Sequence, residues 1–173
     1  MNEFTNEQNY GNVVHVVMHD AKFAYVEDYY QFFDSLKELR DEGHCDIFAY
    51  CLMPGCAQIL MRERDWDVVK CMKPLESCTY DGNLDYEYEM CKDIDRFLTL
   101  FRFVHQSPVR IGLSDTPGDY IYSSWTSEYA QSNPHGICNT SVVLKRLPID
   151  KLSKAVNEPL GKVETCLDYA PFE

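Results

Sequence analysis

Cys56 and Gln58 are two side chains that could contact a metal ion or a reacting group, and they stand two residues apart in the apolar run Cys56–Arg62. On a β-strand this spacing places both side chains on one face of a sheet. They would be poor ligands for Mg²⁺ or Mn²⁺, because a thiol is soft and must first lose its proton and an amide adds no charge. The eight cysteines also lack the two close pairs of a structural zinc site. The residues therefore predict no metal or other cofactor.

The elements that must position this pair follow from hydrophobic periodicity. Three apolar, β-branched runs predict strands, and the dipeptide Pro54-Gly55 predicts a hairpin turn between the second and the third. Apolar residues at helical spacing predict two long helices and a short one near the end, and residues 65–92 show the least regular pattern. The predicted strands are Asn12–Met18, Asp46–Met53 and Cys56–Arg62, and the predicted helices are Val26–Glu42, Asp93–His105 and Asp150–Val156. This order predicts an α+β fold with helices packed mainly on one face of an antiparallel sheet.

Length and charge restrict the class of protein. The 173 residues predict one domain, 1–173, with a core over about 12–130 and a looser tail over 131–173. The chain has 28 acidic and 16 basic residues, a net charge of −12, which opposes strong binding to nucleic acid. It shows no signal peptide and no membrane-spanning apolar run, so we expect a cytoplasmic protein with reduced thiols.

Three blocks of sequence resemble one family of DNA-processing proteins. They are AYCLMP (Ala49–Pro54), FVHQSPVRIGL (Phe103–Leu113) and GDYIYSSW (Gly118–Trp125). In this order they are similar to the REP-associated tyrosine transposases, which belong to the single-tyrosine HUH nuclease superfamily. The resemblance covers about residues 13–125.

The resemblance implies a ferredoxin-like α+β fold and the chemistry of DNA transposition by a mobile element. In the family, a tyrosine hydroxyl attacks a phosphodiester of single-stranded hairpin DNA. A divalent cation, Mg²⁺ or Mn²⁺, is held largely by a His-x-His pair on the third strand and acts as a Lewis acid.

This chain departs from the family at both catalytic elements. Cys56 and Gln58 stand where the two histidines are expected, so the HUH motif is degenerate. The segment that should carry the nucleophile is shortened, and Tyr80, Tyr86 and Tyr88 are the weak candidates that it still contains. The same segment is rich in acids between Asp81 and Asp95, which would repel a DNA phosphate.

Basic residues near the expected site are the candidates for contact with DNA. They are Arg62, Arg64, Arg102 and Arg110. Ion pairing with the excess acids is the alternative, and the favoured, interpretation of these arginines.

Three functions are compatible with these observations. The first is a catalytically inactive, transposase-like DNA-binding domain that is regulatory or a remnant and binds single-stranded or hairpin DNA weakly. The second is an active metal-dependent transposase that uses a displaced tyrosine. The third is an acidic module for binding a protein partner.

Overall fold

The computed structural model describes residues 12–21, 23–78, 84–130 and 136–160. Within these ranges four strands and five α-helices follow one another in the order β1, α1, β2, β3, α2, β4, α3, α4, α5. The strands are β1 (Val13–Ala21), β2 (Cys45–Met53), β3 (Gly55–Glu63) and β4 (Asp85–Met90). The helices are α1 (Val26–Asp41), α2 (Val68–Glu76), α3 (Ile94–Arg110), α4 (Thr140–Leu144) and α5 (Ile149–Asn157). None of the described helices is both long and apolar enough to cross a membrane.

The four strands form one sheet in the order β2-β3-β1-β4, and each neighbouring pair is antiparallel. With α1 after β1 and α2 after β3, this is the βαββαβ arrangement of a ferredoxin-like domain. The β2–β3 hairpin turns at Pro54-Gly55, where Gly55 has a φ of 83°, a value that glycine adopts without strain. The prediction of an α+β fold with an antiparallel sheet is confirmed.

Helices cover both faces of the sheet. Helices α1 and α2 share one face, where the Phe33 ring of α1 lies 5.1 Å from the Tyr50 ring of β2. Helix α3 lies on the opposite face, where Phe97 packs edge-on against Phe48 of β2 at 5.7 Å. The two long helices that the sequence predicts, α1 and α3, therefore lie on opposite faces of the sheet, and the helices are divided between the faces.

Helix α2 and strand β4 occupy the stretch that periodicity had left irregular. Helix α2 is short and contains Pro74, which weakens its helical signature. Strand β4 is an edge strand with alternating acids, so it lacks the apolar run of a buried strand. Helix α3 continues past its predicted end at His105, through Pro108, to Arg110. Gly112 follows the helix, and its φ of 78° supplies the left-handed residue common there.

The chain after α3 returns to cover the outer edge of β2. Backbone amides of β2 donate to this segment, from Leu52 to the Tyr122 carbonyl at 2.9 Å and from Tyr50 to Ser124 Oγ at 2.9 Å. Residue Asn139 closes the other end of the strand through a reciprocal pair of bonds with the Ile47 backbone at 2.9 and 2.7 Å. The described part of the predicted tail, 136–160, is also packed, because α5 buries Leu152 and Val156 against the domain.

Candidate functional site

Cys56 and Gln58 lie on the sheet face that α3 covers. In the sheet register Gln58 is paired with Val17 of β1, and Cys56 is paired with His19. Cys56 is 0% exposed and Gln58 is 2% exposed. The spacing correctly predicts that the two side chains share a face, and the structure shows that α3 seals this part of the face from solvent.

A chain of buried hydrogen bonds runs through Gln58. Its Oε1 lies 3.1 Å from Nε2 of His15 on β1, and its Nε2 donates to Oγ of Ser107 on α3 at 2.8 Å. Ser107 Oγ in turn donates to the Phe103 carbonyl at 2.7 Å. Both ends of the Gln58 amide are therefore committed to holding α3 against the sheet, because buried polar groups need partners.

The histidine in this chain is neutral at physiological pH. His15 is fully buried, and burial lowers its pKa to about 4, although the bond to Gln58 acts in the opposite direction. Its ring lies nearly perpendicular to that of Phe103 of α3, with 6.0 Å between the ring centroids. His15 thus serves as a hydrogen-bonding core residue.

The thiol of Cys56 is also held in its neutral form. Burial raises its pKa to about 12, against a smaller lowering by the charge of Arg110. The Arg110 guanidinium lies over the Phe103 ring at 5.3 Å from its centroid. A protonated, inaccessible thiol is neither a metal ligand nor a nucleophile at neutral pH.

The donor set on this face does not fit the divalent cation that the family resemblance implies. Mg²⁺ and Mn²⁺ need several carboxylate, carbonyl or water oxygens, whereas these positions offer a protonated thiol and an amide that is already bonded at both ends. Across the described ranges no three histidine, cysteine or acidic side chains come together as a metal site.

The candidate tyrosines do not converge on the same face. In the register Tyr86 is paired with Met18 and Tyr88 with Val16, so both project from the face opposite Cys56 and Gln58. Their rings lie 6.5 Å apart on the side of the sheet that carries α1 and α2. Tyr80 lies outside the described residues.

The acids of β4 do share the face of the degenerate motif. Asp85 is paired with His19, and Glu89 is paired with His15. Glu89 binds Arg96 of α3 at 2.6 Å. The acidic segment therefore borders this face of the sheet at its β4 edge.

The four candidate arginines are all engaged within the protein. Arg62 forms an ion pair with Asp46 at 2.5 Å and lies over Phe48, and Arg64 reaches Asp46 at 3.7 Å. Arg102 donates to backbone carbonyls of Glu158 and Pro159, while Arg110 lies over Phe103 as described. The favoured interpretation, pairing with acids, holds for Arg62 and Arg64.

Positive charge gathers instead at the end of the described chain. The segment 144–157 carries four basic residues and one acid, and its basic side chains are exposed. We call this the C-terminal basic surface; it consists of Lys145, Arg146, Lys151 and Lys154. Its three lysines form no ion pair with any described residue. The whole-chain charge concealed this surface, and a local count over KRLPIDKLSK would have revealed it.

Comparison with known proteins shows the fold. No protein-family model matches the chain, and no curated protein does. A solved structure described as a REP-associated tyrosine transposase bound to a REP hairpin is similar, with a TM-score of 0.61 over 76% of this chain and 87% of that one. The identity is 12%, so the likeness shows a shared fold. The transposase-like fold that the sequence blocks implied is therefore confirmed.

Proposed function

We propose that this chain is a transposase-fold protein that binds single-stranded hairpin DNA and does not cut it. The observation that carries the loss of cutting is the buried chain from His15 through Gln58 to Ser107. A side chain that contacts a scissile phosphate must be accessible to the DNA. In this chain Gln58, at the position expected for a catalytic histidine, is buried and holds α3 on the sheet. Cys56 and the tyrosines of β4 do not replace the missing catalytic groups, because the Cys56 thiol is protonated and the tyrosine side chains lie on the opposite face of the sheet.

Two observations support binding to DNA. The solved protein of similar fold is described as bound to a REP hairpin. In addition, the C-terminal basic surface gives this acidic protein one area where phosphates meet an excess of positive charge. Segregation of charge lets a protein with a net charge of −12 attract an anion locally.

The experiment measures binding and cleavage of one labelled hairpin oligonucleotide with a single-stranded 5′ extension. Fluorescence anisotropy between 50 and 200 mM salt gives the affinity and its salt dependence. Each phosphate contact contributes about 0.7 to the slope of log affinity against log salt for a single strand. The double variant Lys151→Gln with Lys154→Gln should lower the slope by about 1.4.

A matched pair elsewhere on the chain serves as the control. Lys70 and Lys73 are likewise exposed and three residues apart, on α2, and differ in that Lys73 lies 3.5 Å from Glu76. Neutralising both to Gln should leave the slope unchanged. Equal effects of the two double variants would refute the C-terminal basic surface as the DNA contact, and the absence of salt-dependent binding would favour a protein partner.

The cleavage arm uses the same oligonucleotide with Mg²⁺ or Mn²⁺ and resolves products on a denaturing gel. We expect intact DNA and no covalent protein–DNA adduct. An adduct lost in Tyr80→Phe, Tyr86→Phe or Tyr88→Phe would instead establish the active transposase with a displaced nucleophile.

A further inference from the structure

A cavity of about 450 Å³ opens between α1 and the segment that covers β2. Its volume is within the range typical of sites for small ligands or single side chains. Aromatic and aliphatic side chains form about half of its wall. The apolar lining residues are Tyr30, Phe33, Tyr50, Ile121, Tyr122 and Ile137.

A buried carboxylate, that of Glu128, also lines this cavity. Glu128 is 5% exposed, and its Oε1 accepts a hydrogen bond from the Cys138 amide at 2.6 Å. Its Oε2 accepts no well-formed hydrogen bond from the described residues, and the Tyr50 phenol and the Cys138 thiol are the polar groups beside the carboxylate. A buried carboxylate with one oxygen left unsatisfied is costly, so a ligand that donates to Oε2 would be favoured.

The backbone next to Glu128 is shaped around its side chain. A Cβ atom at Gly136 would stand 1.8 Å from Glu128 Oε1. Arg40 of α1 fixes this backbone by donating to the carbonyls of Gly136 and Ile137 at 2.7 and 3.1 Å. The carboxylate is thus held in place by its surroundings.

The charges around the cavity favour a cation. Asp34 is a second acid in the wall, and the lining base, Lys37, is bound to Asp41 at 3.2 Å. No basic side chain of the described residues lies within ion-pair distance of Glu128. Burial, together with neighbouring groups that include Glu128, also raises the pKa of the Tyr50 phenol.

We infer that this cavity binds the guanidinium group of an arginine side chain presented by a basic protein partner. A guanidinium is planar, so it stacks on tyrosine and phenylalanine rings while its N–H groups reach a carboxylate. It would supply the positive charge that no described side chain brings to Glu128, together with N–H donors for Oε2. The two acids of the cavity wall, Asp34 and Glu128, attract a basic partner and repel the phosphate that a nucleotide would bring with its base.

The test is an NMR titration of the full chain with N-acetyl-arginine amide. We expect chemical-shift changes at the Tyr50 and Ser127 amides and a Kd of about 1 mM. N-acetyl-citrulline amide has the same shape without the charge and should bind about ten-fold more weakly or worse. Guanosine monophosphate, the alternative ligand, should cause no shifts at these amides.

Two variants test whether the Glu128 carboxylate itself, rather than the overall negative charge of the protein, binds the arginine probe. Glu128→Gln keeps an acceptor for the Cys138 amide and should weaken the arginine probe by about ten-fold. Glu87→Gln removes an exposed acid on the far side of the sheet and should have no effect. Equal binding of the citrulline probe, full affinity in Glu128→Gln, or binding of the nucleotide alone would each overturn the inference.

A second variant keeps the test decisive if Glu128→Gln fails to fold. Tyr30 is 61% exposed at the rim of the cavity, so Tyr30→Ala should fold normally. Loss of its ring should weaken the arginine probe by about five-fold. Unchanged affinity in this variant would refute the site.

Discussion

Replacing Gln58 with methionine tests whether the buried polar chain holds α3 on the sheet. Methionine has nearly the length and volume of glutamine, so the change removes two hydrogen bonds without opening a cavity. The lost bonds are those from Gln58 to His15 at 3.1 Å and to Ser107 at 2.8 Å. Ser107 Oγ keeps its bond to the Phe103 carbonyl, whereas His15 Nε2 loses its hydrogen bond to Gln58.

The expected loss of stability follows from these partners. Loss of the bond to Ser107 costs about 1 kcal/mol, and loss of the bond to the buried His15 costs about 1–3 kcal/mol. The free energy of unfolding should therefore fall by about 2–4 kcal/mol in Gln58→Met. Urea denaturation followed by circular dichroism measures this change.

A double-mutant cycle with Ser107→Ala identifies the cause. If Gln58 and Ser107 act through their mutual bond, the double variant should lose about 1 kcal/mol less than the sum of the single variants. A loss below about 0.5 kcal/mol in Gln58→Met, or strictly additive effects, would refute the structural role that we assign to this chain.

Two further predictions concern buried titratable groups. Folded His15 and His105 have pKa values lowered by burial to about 4 and about 3, against 6.5 in the unfolded chain. Between these values the unfolded state binds more protons than the folded state, so the free energy of unfolding should fall as the pH drops below 6.5 and level off near the folded pKa values. Urea unfolding at several pH values measures this pH dependence. His105→Gln should weaken the pH dependence, and an unchanged dependence would contradict the assignment. Cys78 is half-buried and should react with a thiol reagent in the native protein, whereas Cys56, which is 0% exposed and has a pKa of about 12, should react only after unfolding. Mass-spectrometric mapping of the labelled sites tests this order. Labelling of Cys56 in the native protein would show that α3 does not seal the face.

The local patterns in the sequence predicted three of the four strands of the sheet well. Strands β1, β2 and β3 follow runs of apolar residues that are buried on both faces, and the Pro54-Gly55 turn sets the pairing between two of them. The missed strand, β4, has a clear alternation of acids with Tyr86, Tyr88 and Met90, but an edge strand with so many charges resembles an exposed loop. The extra turn of α3 beyond His105, which contains Pro108, depends on packing against the sheet, which overrides the local preference.

The candidate site was predictable in part. A spacing of two residues correctly put Cys56 and Gln58 on one face, because strand geometry is local. That Ser107 would meet Gln58 depends on how a helix from much later in the chain lies on the sheet, and no spacing rule contains that information. The same limit applies to Glu128, whose burial arises from the return of the chain along β2.

The outer edge of β2 is covered by residues from much later in the chain, and this order affects folding during synthesis on the ribosome. Strand β2 is complete long before Tyr122, Ser124 and Asn139, which satisfy its outer backbone groups, have been synthesised. An uncovered strand edge is a template for pairing with another chain, and nascent domains are most exposed to such errors. During synthesis there is therefore a stage in which nascent chains on neighbouring ribosomes of one messenger RNA can pair through the uncovered edges of their β2 strands. Premature termination before the cover would make that stage permanent, and the products should aggregate.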